Sequence, residues 1–243
     1  MEARLGSDED LKTSVTANDG STRVPATHPD ESVKALNLLI HDLRAPLSVA
    51  QGYLRLLQQN RLEVEADRER AIAQSMEALG RITRLCEDAA AFVADATVDG
   101  PMTALRASEL VERVTQRCTA RSSPLPIDTG TGLSGTIRGT NLDRLVESLA
   151  VVLCAVGRSA RKTPVRVSVH EEEKEARFLL GCDDDRAALV SGSPETFDPW
   201  RGGHGIALPL ACRTITHAGG RIWTSAGGRG AVGIALPEEA SAP

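Results

Sequence analysis

"LNLLIHDLRAPLSVAQGYLRLL", from Leu36 to Leu57, sets its apolar residues in alternating steps of four and three: Leu36, Ile40, Leu43, Leu47, Ala50, Leu54 and Leu57. That spacing keeps one stripe of a helix apolar and is the signature of a coiled-coil seam, so the stretch reads as one long helix. His41 and Asp42 interrupt it. Between the seam residues Ile40 and Leu43 they fall on the flank, facing solvent. A neutral imidazole nitrogen is a nucleophile near physiological pH, and an adjacent carboxylate that accepts the other ring N–H fixes which nitrogen attacks. Pro46 cannot donate the helix bond to the carbonyl of Asp42, so a kink or loosened turn is expected just beyond the histidine.

Downstream, the acidic stretch "NRLEVEADRE" (Asn60–Glu69) breaks the period, and its carboxylates suit the positive N-terminal end of a following helix. Ile72, Met76, Leu79, Ile82, Cys86, Ala89 and Val93 then mark a second apolar face of similar length. Two such helices predict an antiparallel hairpin with a half-formed seam. Two copies bury that seam as a four-helix bundle, so a homodimer is expected.

The hairpin is expected over residues 33–97. Before it, residues 1–32 are rich in Ser, Thr, Asp, Glu and Gly without an apolar period and read as a disordered tail. After it, "TVDGPM" (Thr97–Met102) has the Gly and Pro of a boundary. Residues 102–243 then read as mixed α/β. Helices are predicted near Ser108–Ala120, Leu142–Val156 and Ile206–His217, and strands near Val165–His170, Ala176–Cys182, Arg221–Ser225 and Ala231–Leu236. The last two strands are close enough for an antiparallel hairpin, and the segment before the third helix reads as irregular.

Composition narrows the function. A net charge of -5 gives no broad basic footprint, and 2% aromatics leave few platforms for stacking bases, so nucleic acid is not an expected partner. The five cysteines are scattered without CxxC spacing, which suggests reduced, apolar side chains in a cytoplasmic setting. Apolar runs such as "LAVVLCAV" (Leu149–Val156) are far shorter than the roughly 20 residues of a membrane helix, so no membrane is expected.

"HDLRAPL" (His41–Leu47) resembles the phosphoacceptor box of sensor histidine kinases, H-[DE]-L-R-T-P-L, departing from it only at Ala45. The resemblance implies that His41 is the phosphorylated residue and Asp42 the general base. The family commonly has Thr or Asn at the position of Ala45 to orient a hydrolytic water, so the departure bears against phosphatase activity. From Ser108 to Pro237 the chain is similar to the ATP-binding domain of the same kinases, shared with gyrase B and the heat-shock 90 chaperones. There "TFDPWRGGHGIALPLACRTITHAGGRIWTSAGGRGAVGIALP" follows the family order of aromatic box, Gly-rich lid, helix, H-G-G-x-I turn and final hairpin.

The same resemblance implies an eroded nucleotide site. Val151 and Ala155 occupy the two positions where the family places magnesium-holding asparagines, and neither offers the oxygen a hard cation demands. The D-x-G-x-G of the adenine pocket becomes "DDDRA" (Asp183–Ala187), with Asp185 and Ala187 replacing both glycines. The lid keeps Gly203 and Gly205 but has Ala207 for a third glycine. No cofactor or metal is therefore expected, with ATP and Mg2+ as the alternative. His170, His204 and His217 read as surface or helix-end residues.

The leading expectation is a phosphorelay protein: a homodimer whose His41 exchanges a phosphoryl group with an aspartate on the receiver domain of a response regulator or hybrid kinase. An ATP-dependent autophosphorylating kinase and a non-catalytic pseudokinase adaptor stay open beside it.

Overall fold

A computed structural model describes residues 29–94, 101–121, 125–130, 133–160, 164–200, 204–225 and 230–239. Helix α1 (Pro29–Gln58) opens with Asp30 and Glu31 in its first turn and runs unbroken past Pro46. Asn60, at φ 50°, turns the chain, and Arg68 Nε fastens the turn by donating to the carbonyl of Leu62 at 2.8 Å. Asp67, in the first turn of α2 (Glu65–Val93), complements the positive end of that helix. The expected disordered tail lies outside the described residues up to 28, and its last four positions are already helical.

The two helices form the predicted hairpin, but the residues that close it are small. Ala35, Ala50, Ala71, Ser75 and Ala78 are buried, whereas Leu36, Ile40, Leu47, Leu54, Ile72, Met76 and Leu79 are exposed. Of the seam read from the heptads, only Ala50 is fully buried within one chain. Leu43, Leu57, Ile82 and Ala89 are half-buried, and the exposed residues form an outward apolar stripe.

The second unit contains β1 (Thr103–Arg106), α3 (Ala107–Ala120), β2 (Ile127–Thr129), β3 (Thr136–Gly139), α4 (Leu142–Ser159), β4 (Arg166–Glu172) and β5 (Glu175–Gly181). It continues with α5 (Asp183–Ser191), β6 (Pro194–Thr196), α6 (Ala207–His217), β7 (Arg221–Ser225) and β8 (Val232–Pro237). Six strands form one sheet in the order β2-β4-β5-β8-β7-β6, parallel only between β2 and β4, while β1 and β3 pair separately. The expected final hairpin is present, with Ile222 opposite Ile234.

Strand periodicity divides the sheet between two layers. Phe178, Leu180, Ile234 and Leu236 face a core filled by α3, α4 and α6, including Leu110, Leu149, Leu153 and Ile215. The alternate residues Leu179, Trp223 and Ala235 face Leu189 of α5, whose carbonyl accepts a hydrogen bond from Trp223 Nε1 at 3.2 Å. That helix replaces the irregular segment expected there, because Leu189 has an apolar sheet face to cover. The short strands β1, β2, β3 and β6 also lay below the reach of the sequence pattern.

The α/β unit docks on the hairpin through a small apolar cluster of Ala35, Phe92, Ile206 and Leu210, with Trp200 edge-on to Phe92 at 5.9 Å between ring centroids. Arg213 of α6 completes the junction. Its guanidinium lies 4.0 Å over the Phe92 ring while donating to the Phe92 carbonyl at 2.8 Å and to Glu31 Oε2 at 3.1 Å. No helix among the described residues is long and apolar enough to cross a membrane.

Candidate functional site

His41 lies on the exposed surface of α1, its side chain 78% exposed, against 21% for Asp42. The two side chains meet, with His41 Nδ1 3.1 Å from Asp42 Oδ1. An ionised carboxylate only accepts, so Nδ1 carries the proton and the lone pair falls on Nε2. The helix therefore presents a nucleophilic nitrogen outward and holds its tautomer from behind. Both site residues expected from the sequence are thus brought together.

Asp42 is held from its other side. Gly205, at φ 73°, comes so close that a Cβ built on it would collide with Asp42 Oδ2. The only residue type that meets both demands is glycine, which has no Cβ and adopts positive φ freely. Next to it, His204 Nε2 lies 2.9 Å from Ser159 Oγ at the end of α4. Burial, and then the charge of Arg158, hold the His204 imidazole below its ordinary pKa. His204 read as a surface residue in the sequence; it is half-buried at the junction, a placement that only the docking of the two units creates. His170 and His217 stay away from the site. Gly203, read as part of the lid, lies outside the described residues.

The pair opens into a cleft of about 990 Å³ between the hairpin and the α/β unit. Arg81, Arg84 and Asp88 of α2, Arg117 and Arg121 at the end of α3, and Glu147 and Arg158 of α4 line it with His41. Burial raises the Asp88 carboxyl above the ordinary carboxylate range, opposed by the charges of Arg121 and Arg144. These basic residues come from three helices that are distant in sequence, so no local motif announced them.

A magnesium nucleotide fits poorly at the positions the kinase resemblance assigns to it. Ala155 is buried in the core and Val151 packs against it, so α4 offers a hydrocarbon surface where oxygen ligands are needed. Asp183, Asp184 and Asp185 form the first turn of α5 instead of a glycine loop. Asp185 is engaged by Cys182, whose Sγ donates to Oδ2 at 2.8 Å, and its Cβ packs against Gly181. Among the described residues, no group of three or more His, Cys, Asp or Glu side chains is placed to hold a metal ion.

No protein-family profile matches the chain, and no curated protein matches it. Solved structures do. The histidine kinase AdeS of Acinetobacter baumannii superposes with a TM-score of 0.56 at 16% identity, covering 82% of this chain and 98% of its own. The histidine kinase ThkA in complex with the response regulator protein TrrA gives 0.55 at 14% identity, covering 86% of this chain and 65% of its own. Full-length ShkA in complex with AMPPNP gives 0.50 at 16% identity, covering 89% of this chain and 47% of its own. The chain has the fold of a histidine-kinase catalytic core, a helical hairpin followed by an ATPase-type α/β unit.

Proposed function

We propose that this chain is a phosphotransfer protein of two-component signalling, in which His41 takes a phosphoryl group from, or gives one to, an aspartate on a receiver domain. The observation that carries the reading is the His41–Asp42 pair itself: a tautomer held at 3.1 Å on a ring that is 78% exposed, open to a second protein. Nε2 attacks phosphorus as the bond to the aspartyl oxygen breaks, the aspartate leaves as its carboxylate, and the Nδ1 proton passes to Asp42. Phosphoryl transfer is largely positioning and charge stabilisation, so the acceptor chain needs no nucleotide site for this step. ThkA was solved with the response regulator TrrA, which supports a receiver as the partner.

The exposed stripe of Leu36, Ile40, Leu47, Leu54, Ile72 and Met76 supports a homodimer that joins two hairpins into a four-helix bundle. An ATP-driven autokinase is the second reading, and the solution of ShkA with AMPPNP is what favours it. Against it stand the hydrocarbon side chains of Val151 and Ala155 and the helical turn at Asp183–Asp185.

One experiment separates the readings. The chain is incubated first with labelled ATP and magnesium, then with a receiver domain carrying labelled aspartyl phosphate. Relay chemistry labels the chain only in the second incubation, and His41→Ala abolishes that label. Label from ATP, lost in His41→Ala, establishes the autokinase. No label from either donor, with the receiver still bound, leaves an adaptor.

A further inference from the structure

The phosphoryl group on His41 is a dianion, and the cleft beside it holds more positive charge than its carboxylates neutralise. Five arginines line the cleft with three carboxylates, Asp42, Asp88 and Glu147. Three of the arginines are committed. Arg81 pairs with Glu77 at 3.1 Å, and Arg117 and Arg121 both pair with Glu147. Among the described residues, Arg84 and Arg158 have no ion-pair partner. Both are exposed, one on each wall. Arg84 projects from α2, whose return path beside α1 places it across the hairpin from His41. Arg158 lies at the end of α4, near enough to His204 for its charge to depress that imidazole, and His204 is bonded along the chain to Gly205, which abuts Asp42.

We propose that Arg84 and Arg158 form a two-sided anion site that receives the phosphoryl group carried by His41, one guanidinium from the hairpin and one from the α/β unit. Guanidinium groups match phosphoryl oxygens geometrically and stay charged at any working pH. The α/β unit then contributes to phosphotransfer without nucleotide, by closing one wall of that site. The inference rests on His41 as the acceptor, and the test keeps the two claims apart.

The purified full chain is loaded with potassium phosphoramidate, a small anionic donor that needs no receiver and no ATP. The P–N bond of the donor breaks, a bond forms between phosphorus and His41 Nε2, and ammonia leaves, with the Nδ1 proton of the ring released through Asp42 to solvent. Loading rate and the 31P titration of the bound phosphoryl group are compared for the unmodified chain, Arg84→Gln, Arg158→Gln and the double variant. Arg55→Gln, exposed in the last turn of α1 and outside the cleft, serves as the charge control.

Each cleft variant should slow loading about threefold and the pair about tenfold, as expected for screened charges near a dianion. The phosphoryl group should titrate at higher pH in the double variant, since cations favour the doubly charged form. Cleft variants that load and titrate like Arg55→Gln would overturn the site. Failure of the unmodified chain to load would sink the acceptor reading alone. Inorganic phosphate would then report on the arginines: shifts of the Arg84 and Arg158 side-chain N–H resonances support the pair, and their absence overturns it.

Discussion

Gly205 presses against Asp42 Oδ2 while Asp42 Oδ1 holds His41 Nδ1 at 3.1 Å, so a glycine of the α/β unit sets the carboxylate that sets the histidine. The contact joins two motifs that are 163 positions apart in the chain. Having no Cβ, Gly205 lets the α/β unit approach α1 closely.

Gly205→Ala tests that contact. A methyl group at φ 73° is strained and displaces the Asp42 carboxylate, and misplacing a group by about 1 Å costs on the order of 100-fold in a positioned reaction. Loading of His41 should fall by about tenfold or more, while thermal unfolding shifts by only a few degrees. An unchanged loading rate would show that Asp42 finds its place without the lid.

The apolar stripe predicts the oligomeric state. Leu54→Asp and Met76→Asp put charges on side chains that are 51% and 64% exposed in one chain, so neither should disturb the protomer. Each should convert a sedimenting dimer to monomer at micromolar concentration with helical circular dichroism retained. A dimer that survives both would place its interface elsewhere.

Arg213 predicts how firmly the two units are joined. Arg213→Ala removes two hydrogen bonds and the cation over Phe92, together about 1–3 kcal/mol. Backbone amide exchange should rise around Leu85–Val93 and Ile206–Leu210, and His41 loading should fall through loosening of the Gly205 contact. Unchanged exchange would show that the apolar cluster alone carries the junction.

Glu238 predicts a pH effect on stability. Among the described residues its carboxylate is buried without a hydrogen-bond partner for either oxygen, and burial, then the nearby charge of Glu171, raises it above the ordinary carboxylate range. The folded chain therefore keeps this proton at pH values where the unfolded chain has lost it. Stability falls as pH rises from the ordinary value through the raised one, and the penalty is fully present at neutral pH. Glu238→Gln should raise the melting temperature at pH 7 by a few degrees and lose that advantage as pH drops below the unfolded value of 4.5. A gain that is equal at both pH values would assign the effect to packing.

Much of this architecture was legible in order of residues alone. Heptad steps from Leu36 to Leu57 specify a helix because apolar side chains every 3.5 positions share one face, and they do so whatever surrounds them. The short apolar runs in "RFLLG" and "VGIALP" suit strands buried on both faces, and "HDLRAPL" named the candidate nucleophile and its carboxylate because the two are adjacent in sequence. Short range limits that reading. Helix α5 forms where Leu189 meets Leu179 and Trp223 from distant strands, and no pattern within nine residues encodes that demand.

By itself, then, the sequence determined the helices of the hairpin, the adjacent His41–Asp42 pair and the hydrocarbon side chains of Val151 and Ala155, all of which depend on residue type and local spacing. Only the tertiary structure decided that Ala35, Ala50 and Ala71 close the hairpin and leave the larger side chains outward, because interhelical distance selects small residues at the contact. It alone brought Gly205 onto Asp42 and set Arg84 and Arg158 on opposite walls of one cleft. Those relationships join separate elements through the docking of Phe92, Ile206 and Arg213, and contacts between elements have no period that a linear sequence can display.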